Sequence, residues 1–503
     1  MSVLFGIALL PLFGGATVDG LGWDQGMEFT VVAYNVENLF DVDGVAMFED
    51  YQQDERSDPF TYTRTKLLTK LQNHTEVLQY FNDGAGPEVI LFQEFEADFT
   101  PRTSVDDFDA FLAEYRHTTV EDMLGDGWRS VYKGIPSQAW LLKAMADAGV
   151  DGYHVVTVPS KGMDSGIAHA NAVFSKFPIT SSEAHELEQA RDILEVQLDV
   201  AGNSLWVYSN HWKSGASNPK REPIRVQNAT ILRKLIDARL AEDPHADIII
   251  GGDLNSHYNH SLLFPEITTG INNVLGSQGD ELAIRAMDGV DLYNLWFELP
   301  PEERYTEVWR GRRGTLMHLL ITRGLYDESG IQYVDGSFDK LLMPGFNIDT
   351  LGRPLEWSFA GNAGGGVTDH LPVYARFKVS SGESGVFVDL ENPSAGDDAP
   401  DFEMPLGYMT DPSVEFEDGA FLSEIGDADL GPYMGKLYKV DAKILKMRPL
   451  TLEIGDAVWG AYAPGDDLQA ELACLSQSST HRLIVKLGVW KGKRQFVVEG
   501  LRQ

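Results

Sequence analysis

Cysteine is almost missing from this chain: 503 residues include one, Cys474. An intrachain disulfide is therefore excluded, and a zinc–cysteine site is disfavoured. Cys474 sits in Leu468-Gln469-Ala470-Glu471-Leu472-Ala473-Cys474-Leu475, where apolar and polar residues alternate, and this predicts a strand with the thiol in its core. Basic residues are the second shortage, with 40 Lys and Arg against 76 Asp and Glu and a formal net charge of −36. Such a charge opposes long-range attraction to nucleic acid or anionic membrane, so a phosphate-bearing substrate must be held locally, by a metal or a basic patch. The third shortage is long apolar runs, because nothing past the N-terminus approaches the ~20 residues that span a bilayer.

Residues 3–13, Val-Leu-Phe-Gly-Ile-Ala-Leu-Leu-Pro-Leu-Phe, followed by Gly14-Gly15-Ala16, have the length and small-residue ending of a secretory signal, although no Lys or Arg precedes them. Export to a secreted or periplasmic location is expected for residues 1–27, against an apolar N-terminal strand or a misplaced start codon. A hydrophobic content of 43% gives ample material for a large core and more than one domain.

Ile248-Ile249-Ile250-Gly251-Gly252-Asp253-Leu254-Asn255 reads as a central strand that stops at polar residues. The glycine pair allows close backbone approach, and at strand spacing Asp253 and Asn255 leave on one face. Taken alone, Gly-Asp-x-Asn is an ordinary turn. Other strands end the same way. Phe29 to Val36 terminates in Asn35-Val36-Glu37-Asn38, Val89 to Phe92 in Gln93-Glu94, and Leu205 to Asn210 in His211-Trp212-Lys213. A carboxylate such as Glu94 at an apolar strand's end is a solvated cap or a metal ligand. Helices are expected over Tyr62 to Tyr80, Phe108 to Leu124, Trp140 to Met145 and Pro223 to Leu240, and strands over Tyr153 to Val158, Ala170 to Ser175, Ile193 to Leu198 and Gly314 to Thr322. Helices alternating with strands, and strands also in consecutive runs, indicate an α/β sandwich of mixed sheets.

Five separated strand-end motifs result: Tyr34-Asn35-Val36-Glu37-Asn38, Gln93-Glu94, Asn210-His211-Trp212, Gly252-Asp253-Leu254-Asn255 and Thr368-Asp369-His370-Leu371-Pro372. In this order and at these separations they resemble the endonuclease/exonuclease/phosphatase superfamily, the fold of pancreatic deoxyribonuclease, over about residues 28–378. The resemblance implies a four-layered α/β sandwich, two mixed β-sheets flanked by helices. It also implies hydrolysis of a phosphodiester, here DNA or RNA, with Mg²⁺ (or Mn²⁺ or Ca²⁺) as cofactor. By the same resemblance Glu94 is the principal metal ligand, and Asn35 and Asp369 complete the metal's surroundings. Asp253 orients or deprotonates the attacking water, Asn255 and His211 hold the scissile phosphate, and His370 is the catalytic histidine. The chemistry wants these types: hard oxygen ligands bind a divalent ion, and oriented donors stabilise charge on the transition state.

One position departs from the family. Met317 stands where an Asp usually pairs with the catalytic histidine, and a thioether cannot take that role. His370 then has another carboxylate partner, works less well, or belongs to a site without activity. His318 is either a compensating polar group or, on the more ordinary reading, a histidine facing solvent. Two alternatives to the nuclease follow: a phosphatase or phosphodiesterase on inositol phosphates, phospholipids or nucleotides, and a catalytically impaired binding protein.

Between Lys378 and Lys436 there is no Lys or Arg, so residues 379–432 read as an acidic linker or extension. Residues 433–503 read as five or six short strands, a small β-barrel resembling an OB-fold, with basic residues concentrated in it. Tyr438, Trp459, Tyr462, Trp490 and Phe496 are then either a stacking platform for nucleic acid or the barrel's own core.

Overall fold

Apolar runs such as Val31-Val32-Ala33 and Ile248-Ile249-Ile250 suit strands covered on both faces, and both lie in the middle of a sheet. The structure is a computed structural model that describes residues 26–48, 51, 62–99, 105, 107–277, 284, 292–309, 312–387, 415–464, 466–476, 479–490 and 493–502. The apolar segment 3–13 lies outside the described residues. The first part of the chain runs β1 (Glu28–Leu39), α1 (Arg64–Gln79), β2 (Val89–Glu96), α2 (Phe108–Glu114), α3 (Val120–Leu124), α4 (Ser137–Asp147), β3 (His154–Thr157) and β4 (His169–Ser175). It continues through β5 (Ile179–His185), β6 (Arg191–Val200), β7 (Asn203–His211), α5 (Glu222–Glu242), β8 (Asp247–Asp253) and β9 (Leu292–Asn294). The hairpin β10 (Glu307–Trp309) and β11 (Arg312–Gly314) precedes β12 (Met317–Thr322), β13 (Ser329–Tyr333), β14 (Asp339–Lys340) and β15 (Val373–Ser381).

Two mixed sheets result, with orders β13–β15–β1–β2–β4–β3 and β5–β6–β7–β8–β12–β9, and β14 adds to β15. Each sheet holds one parallel pair at its centre, β1/β2 and β7/β8; their other neighbours run antiparallel. Parallel neighbours need a crossover, and α1 and α5 supply one each. Val31, Ala33, Leu91, Val207, Ile249 and Leu319 form the core between the sheets. The opposite face of the first sheet, Val32, Tyr34, Ile90 and Phe92, packs on Leu67 and Leu71 of α1 and Leu141 and Met145 of α4. Tyr208, Ile248 and Ile250 pack on Leu232 and Ile236 of α5. The layers are helices, sheet, sheet, helix, as the family resemblance implies.

Local signals explain most boundaries. Thr63 caps α1, its Oγ1 accepting from Lys66 N at 3.3 Å. The helix expected over Phe108 to Leu124 is two short ones, because Thr119 starts a new cap that accepts from Asp122 N. Strand β5, Ile-Thr-Ser-Ser-Glu-Ala-His, has no sequence signature: it is a sheet edge, exposed along most of its length.

The C-terminal region is a closed barrel of five strands, β17 (Leu437–Met447), β18 (Leu450–Ile454), β19 (Ala457–Tyr462), β20 (Thr480–Trp490) and β21 (Lys493–Arg502), with β16 (Glu417–Asp418) added to β17. Closure comes from β17 pairing with β18 on one side and β20 on the other, while β21 joins β19 to β20. The expected strand over Leu468 to Leu475 is instead a helix, Asp466–Cys474. Leu468, Leu472 and Leu475 recur at four and three residues, which fits a helical face as well as strand alternation does. That face packs on the barrel core and leaves Cys474 exposed, not buried as predicted. Tyr438, Trp459 and Phe496 are buried in the barrel, whereas Tyr462 is exposed. From residue 415 the acidic segment is packed, with Leu422 and Leu430 in the barrel's core. Its backbone meets the sandwich closely, Asn362 N donating to Ala428 O at 2.6 Å. Among the described residues no helix is long and apolar enough to cross a membrane.

Candidate active site

Both parallel pairs end at the same place. Asn35 pairs with Gln93 at the end of β1/β2, and His211 pairs with Asp253 at the end of β7/β8. The ends of parallel strands are open because the chain leaves them for its crossover helix, so they collect polar groups. After Asn35 the β1/β2 register shifts, and Glu37, Asn38 and Glu94 take positive φ of 45°, 57° and 67°. Asn255 does likewise at 47°. Such conformations persist in non-glycine residues only where the surroundings fix them, and four of the chain's lie here. Gly252, at φ 122°, has a different reason: a Cβ there would sit 2.1 Å from Asn210 O.

Asn35 Nδ2 donates to Glu94 Oε1 at 3.0 Å and to Asp253 Oδ2 at 3.3 Å, tying the two halves together. Its Oδ1 accepts from Glu37 N at 2.9 Å, and Asn38 N donates to Glu94 Oε2 at 3.0 Å. His211 Nε2 lies 3.7 Å from Glu94 Oε1 and 3.5 Å from Asp253 Oδ2. His370 Nε2 lies 3.7 Å from Asp253 Oδ2 and 3.8 Å from Asp369 Oδ2. Asn255 Nδ2 donates to Trp212 O at 3.2 Å, and Asn255 N donates to Asp253 Oδ1 at 2.8 Å. All seven residues singled out in the sequence thus converge. Asn255 gets there by a turn and not by strand spacing, because β8 stops at Asp253.

Glu94, His211 and Asp253 each offer one donor atom, all within 4.8 Å of one another, and so can hold a metal ion. Two carboxylates and an imidazole fit a divalent cation. Of the residues expected at a metal, Glu94 belongs to this group and Asn35 braces it through its NH2. Asp369 stands beside His370. A second group, Asp41, Asp43 and Glu96, lies nearby, with Asp41 N donating to Glu96 Oε2 at 2.8 Å.

The electrostatics follow from burying several acids beside histidines and an arginine. Burial raises the Asp253 carboxyl, with His370 pulling it back down. Asp369 rises to about 6, by burial and the nearby Glu94 charge, against His370. Burial also acts to raise Glu94, but His169 and Arg191 outweigh it and hold Glu94 below its usual range. Burial opposes charge on His370, yet Asp369, Asp253, Glu307 and Glu94 together raise its pKa to about 9. His211 is held well below its ordinary value by burial and by Arg191.

Several residues at the site went unnoticed in the sequence. His169 lies 4.0 Å from Glu94 and its Nε2 donates to Asn38 Oδ1, while Arg191 Nη2 donates to His169 Nδ1 at 3.0 Å. Both stand at strand starts, a position that carries no signal. Lys70 reaches from α1 to the carbonyls of Glu37 and Asn38, with burial lowering its pKa to about 8. Here a signal existed: Lys66, Lys70 and His74 recur every four residues on the buried face of α1, where polar groups need partners. His318 is fully buried and not solvent-facing, its Nε2 meeting Ser256 O at 2.8 Å and its Nδ1 meeting Asn294 Nδ2 at 3.2 Å. It supports the turn after Asp253 from behind. Met317 pairs with Asp253 across β8/β12 and is buried between the sheets.

Residues 143–379, which include His211, Asp253, Asn255, Asp369 and His370, match the endonuclease/exonuclease/phosphatase family. Over these residues, just under half of its length, the chain is similar to that family. Enzymes of the endonuclease/exonuclease/phosphatase family hydrolyse phosphoester bonds and depend on metal, which agrees with an acidic cluster at this position. Solved structures with a similar arrangement include a D. rerio TDP2 humanized by 14 mutations, at 12% identity and a TM-score of 0.36, covering 70% of this chain and 98% of that one. A family protein from Leptotrichia buccalis matches at 13% identity and a TM-score of 0.39, covering 69% and 98%. The human nocturnin catalytic domain with bound sulfate matches at 15% and 0.37, covering 70% and 95%. No curated protein sequence matches the chain.

Proposed function

We infer that this protein is a metal-dependent phosphodiesterase, an endonuclease that cleaves DNA or RNA by attack of water on phosphorus, with Mg²⁺ as its metal. The observation that carries this reading is the Glu94–His211–Asp253 cluster with His370 Nε2 3.7 Å from Asp253. Glu94 is the one residue in both the ligand set the family implies and the geometric cluster, so it is the principal ligand, with Asn35 and Asp369 around it. A bound divalent ion neutralises the phosphate's charge and lowers the barrier to attack. Asp253, buried and poorly solvated, orients the water and takes its proton. Asn255 and His211 donate to the phosphate oxygens, and His370, positively charged at neutral pH, opposes the negative charge that builds on them. The full convergence of these groups favours an active enzyme over an impaired binding protein.

Residues 28–378 form the catalytic domain on this reading, and residues 433–503 an OB-like accessory barrel. Residues 1–27 direct export, and 379–432 connect the two domains. The experiment is cleavage of supercoiled plasmid, single-stranded DNA and RNA by the full chain with and without Mg²⁺, with Glu94→Ala alongside. Mg²⁺-dependent cleavage that vanishes in the variant is the expected result. Intact nucleic acids, with hydrolysis of a small phosphodiester instead, would overturn the nuclease assignment and keep the hydrolase.

A further inference from the structure

The segment that leads into Asp369 and His370 has the C-terminal region packed against it. Residues 349–366 follow β14 and precede Thr368-Asp369-His370, and they meet that region at several points. Leu351 packs against Phe416, Leu437 and Ile484, and Ala360 is buried in the barrel's own core. Arg353 Nη1 donates to Glu499 Oε2 at 3.4 Å, while its Nε donates to Asp349 Oδ2 at 2.7 Å. Asn362 N donates to Ala428 O at 2.6 Å. The tightest point is backbone on backbone: a Cβ on Gly431 would overlap Gly364 O, and one on Gly365 would overlap Gly431 O. Glycine on both sides is what permits so close an approach.

The same segment also reaches the metal-binding end of β1 and β2. Gly364 lies on the Trp357 indole, since a Cβ on that glycine would be 2.6 Å from the ring. Lys70 Nζ stands 4.8 Å from the centre of the indole and donates to the carbonyls of Glu37 and Asn38. Trp357 N donates to Glu37 Oε2 at 2.7 Å, and Asn38 N donates to Glu94 Oε2 at 3.0 Å. A continuous line of contacts therefore joins Gly431, Gly364, Trp357, Lys70 and Asn38 to Glu94. Beyond the glycines, Asn73 Nδ2 donates to Gly366 O at 2.8 Å, and Thr368 Oγ1 donates to Asn35 O at 2.9 Å. Those bonds carry the chain into Asp369 and His370.

We propose that the C-terminal barrel is a working part of the catalytic site, and that Trp357 is the positioning residue through which it acts on Glu94. The proposal rests on the assignment of Glu94 to the metal. Trp357 touches no reacting atom. Its ring fills the space between Gly364 and Lys70, so a barrel that lifts away leaves the ring without its backing and lets Lys70 and the Glu37-Asn38 turn relax. Glu37, Asn38 and Glu94 all hold positive φ, and such conformations persist only where the surroundings fix them. A barrel that served only to hold nucleic acid from a loose tether would need none of these contacts.

The test uses the full chain. Gly431→Val sets a branched side chain against Gly364 O, which is backbone and cannot swing away. Mg²⁺ affinity by calorimetry then falls by about tenfold or more, and kcat falls by about tenfold with KM within about twofold. Hydrogen exchange read by mass spectrometry quickens over residues 35–38 and 355–371, while β17 to β21 keep their protection. Trp357→Ala weakens Mg²⁺ binding likewise, and Trp357→Phe, which keeps a ring under Lys70, holds it within about threefold of wild type. A barrel that merely stabilised the fold would lower Tm in Gly431→Val, with Mg²⁺ affinity unchanged and no difference between Trp357→Ala and Trp357→Phe. Glu499→Gln adds no volume, so it decides the barrel's part where Gly431→Val does not fold: exchange over 349–367 quickens by about threefold or more. Mg²⁺ affinity and exchange over 35–38 and 355–371 within about twofold of wild type in Gly431→Val would overturn the proposal, as would unchanged exchange in Glu499→Gln where Gly431→Val does not fold. If the wild type cleaves no phosphodiester, the functional reading fails, while exchange over these segments still decides whether the barrel holds the site.

Discussion

The two parallel strand pairs are built alike and hold their chemistry differently. In each, a strand crosses through one helix, α1 or α5, to a parallel partner that carries a carboxylate at or near its end, Glu94 or Asp253. The first pair breaks register after Asn35, and its end is a loop with Glu37, Asn38 and Glu94 at positive φ, held by Lys70 from α1. The second pair stays in register from Leu205↔Asp247 to its last residues, His211↔Asp253. Glu94 is therefore placed by side-chain braces and Asp253 by the sheet itself. Substitutions in the first half should strike activity, and those in the second should strike stability as well.

Glu94→Ala is the largest expected break of this symmetry: cleavage should fall by about 10³-fold or more, equal to about 4 kcal/mol of transition-state stabilisation, with Tm little changed. Rate and thermal melting measured on one preparation check both parts. On the other side, Glu222→Gln at the start of α5 removes one partner of a buried pair with Arg225, whose Nε donates to Glu222 Oε2 at 2.7 Å. Its cost should be about 3–5 kcal/mol by urea unfolding. The pH dependence has a definite sign. Burial acts to raise the Glu222 carboxyl, but His260, Arg225 and the Gly270 N–H hold it down at about 2. A depressed carboxyl contributes stability that is full above about 4.5 and lost as pH falls through about 2, so the wild type should lose that increment on acidification and Glu222→Gln should not.

Gly252→Ala sharpens the comparison at its centre. The added Cβ meets Asn210 O, which is backbone of the neighbouring parallel strand and cannot swing away, so a loss of about 1–3 kcal/mol is expected together with weaker cleavage. Should Gly252→Ala keep full stability, the claim that strand register places Asp253 would fall. The smallest effect is expected far from both pairs: exposed Tyr462→Ala in the barrel should change stability by less than about 0.5 kcal/mol. If the barrel contacts nucleic acid by stacking, that same variant should weaken binding to single-stranded DNA by about 1–3 kcal/mol, measured by fluorescence anisotropy.

Much of the site was legible because strand ends write themselves plainly. An apolar run followed within three residues by Asn35, Glu94, His211 or Asp253 names both the element and the group it delivers. Lys70 was legible in principle, as a cation on a helix face that otherwise buries Leu67 and Leu71. His169 and Arg191 were not, since each is a polar residue at the start of a strand, where polar residues ordinarily stand. The helix Asp466–Cys474 was misread as a strand because three leucines fit both periods, and only the barrel's closure leaves room for a helix between β19 and β20.

The sequence by itself determined the α/β class, the five strand-end motifs and the absence of disulfides, because local apolar periodicity and the residues that interrupt it are properties of short stretches. Tertiary structure alone decided that Glu94, His211 and Asp253 share one cluster and that His318 is buried behind it. Those facts depend on which strands become neighbours, and neighbours such as β8 and β12, separated by more than 60 residues of chain, are chosen by the burial of a common core.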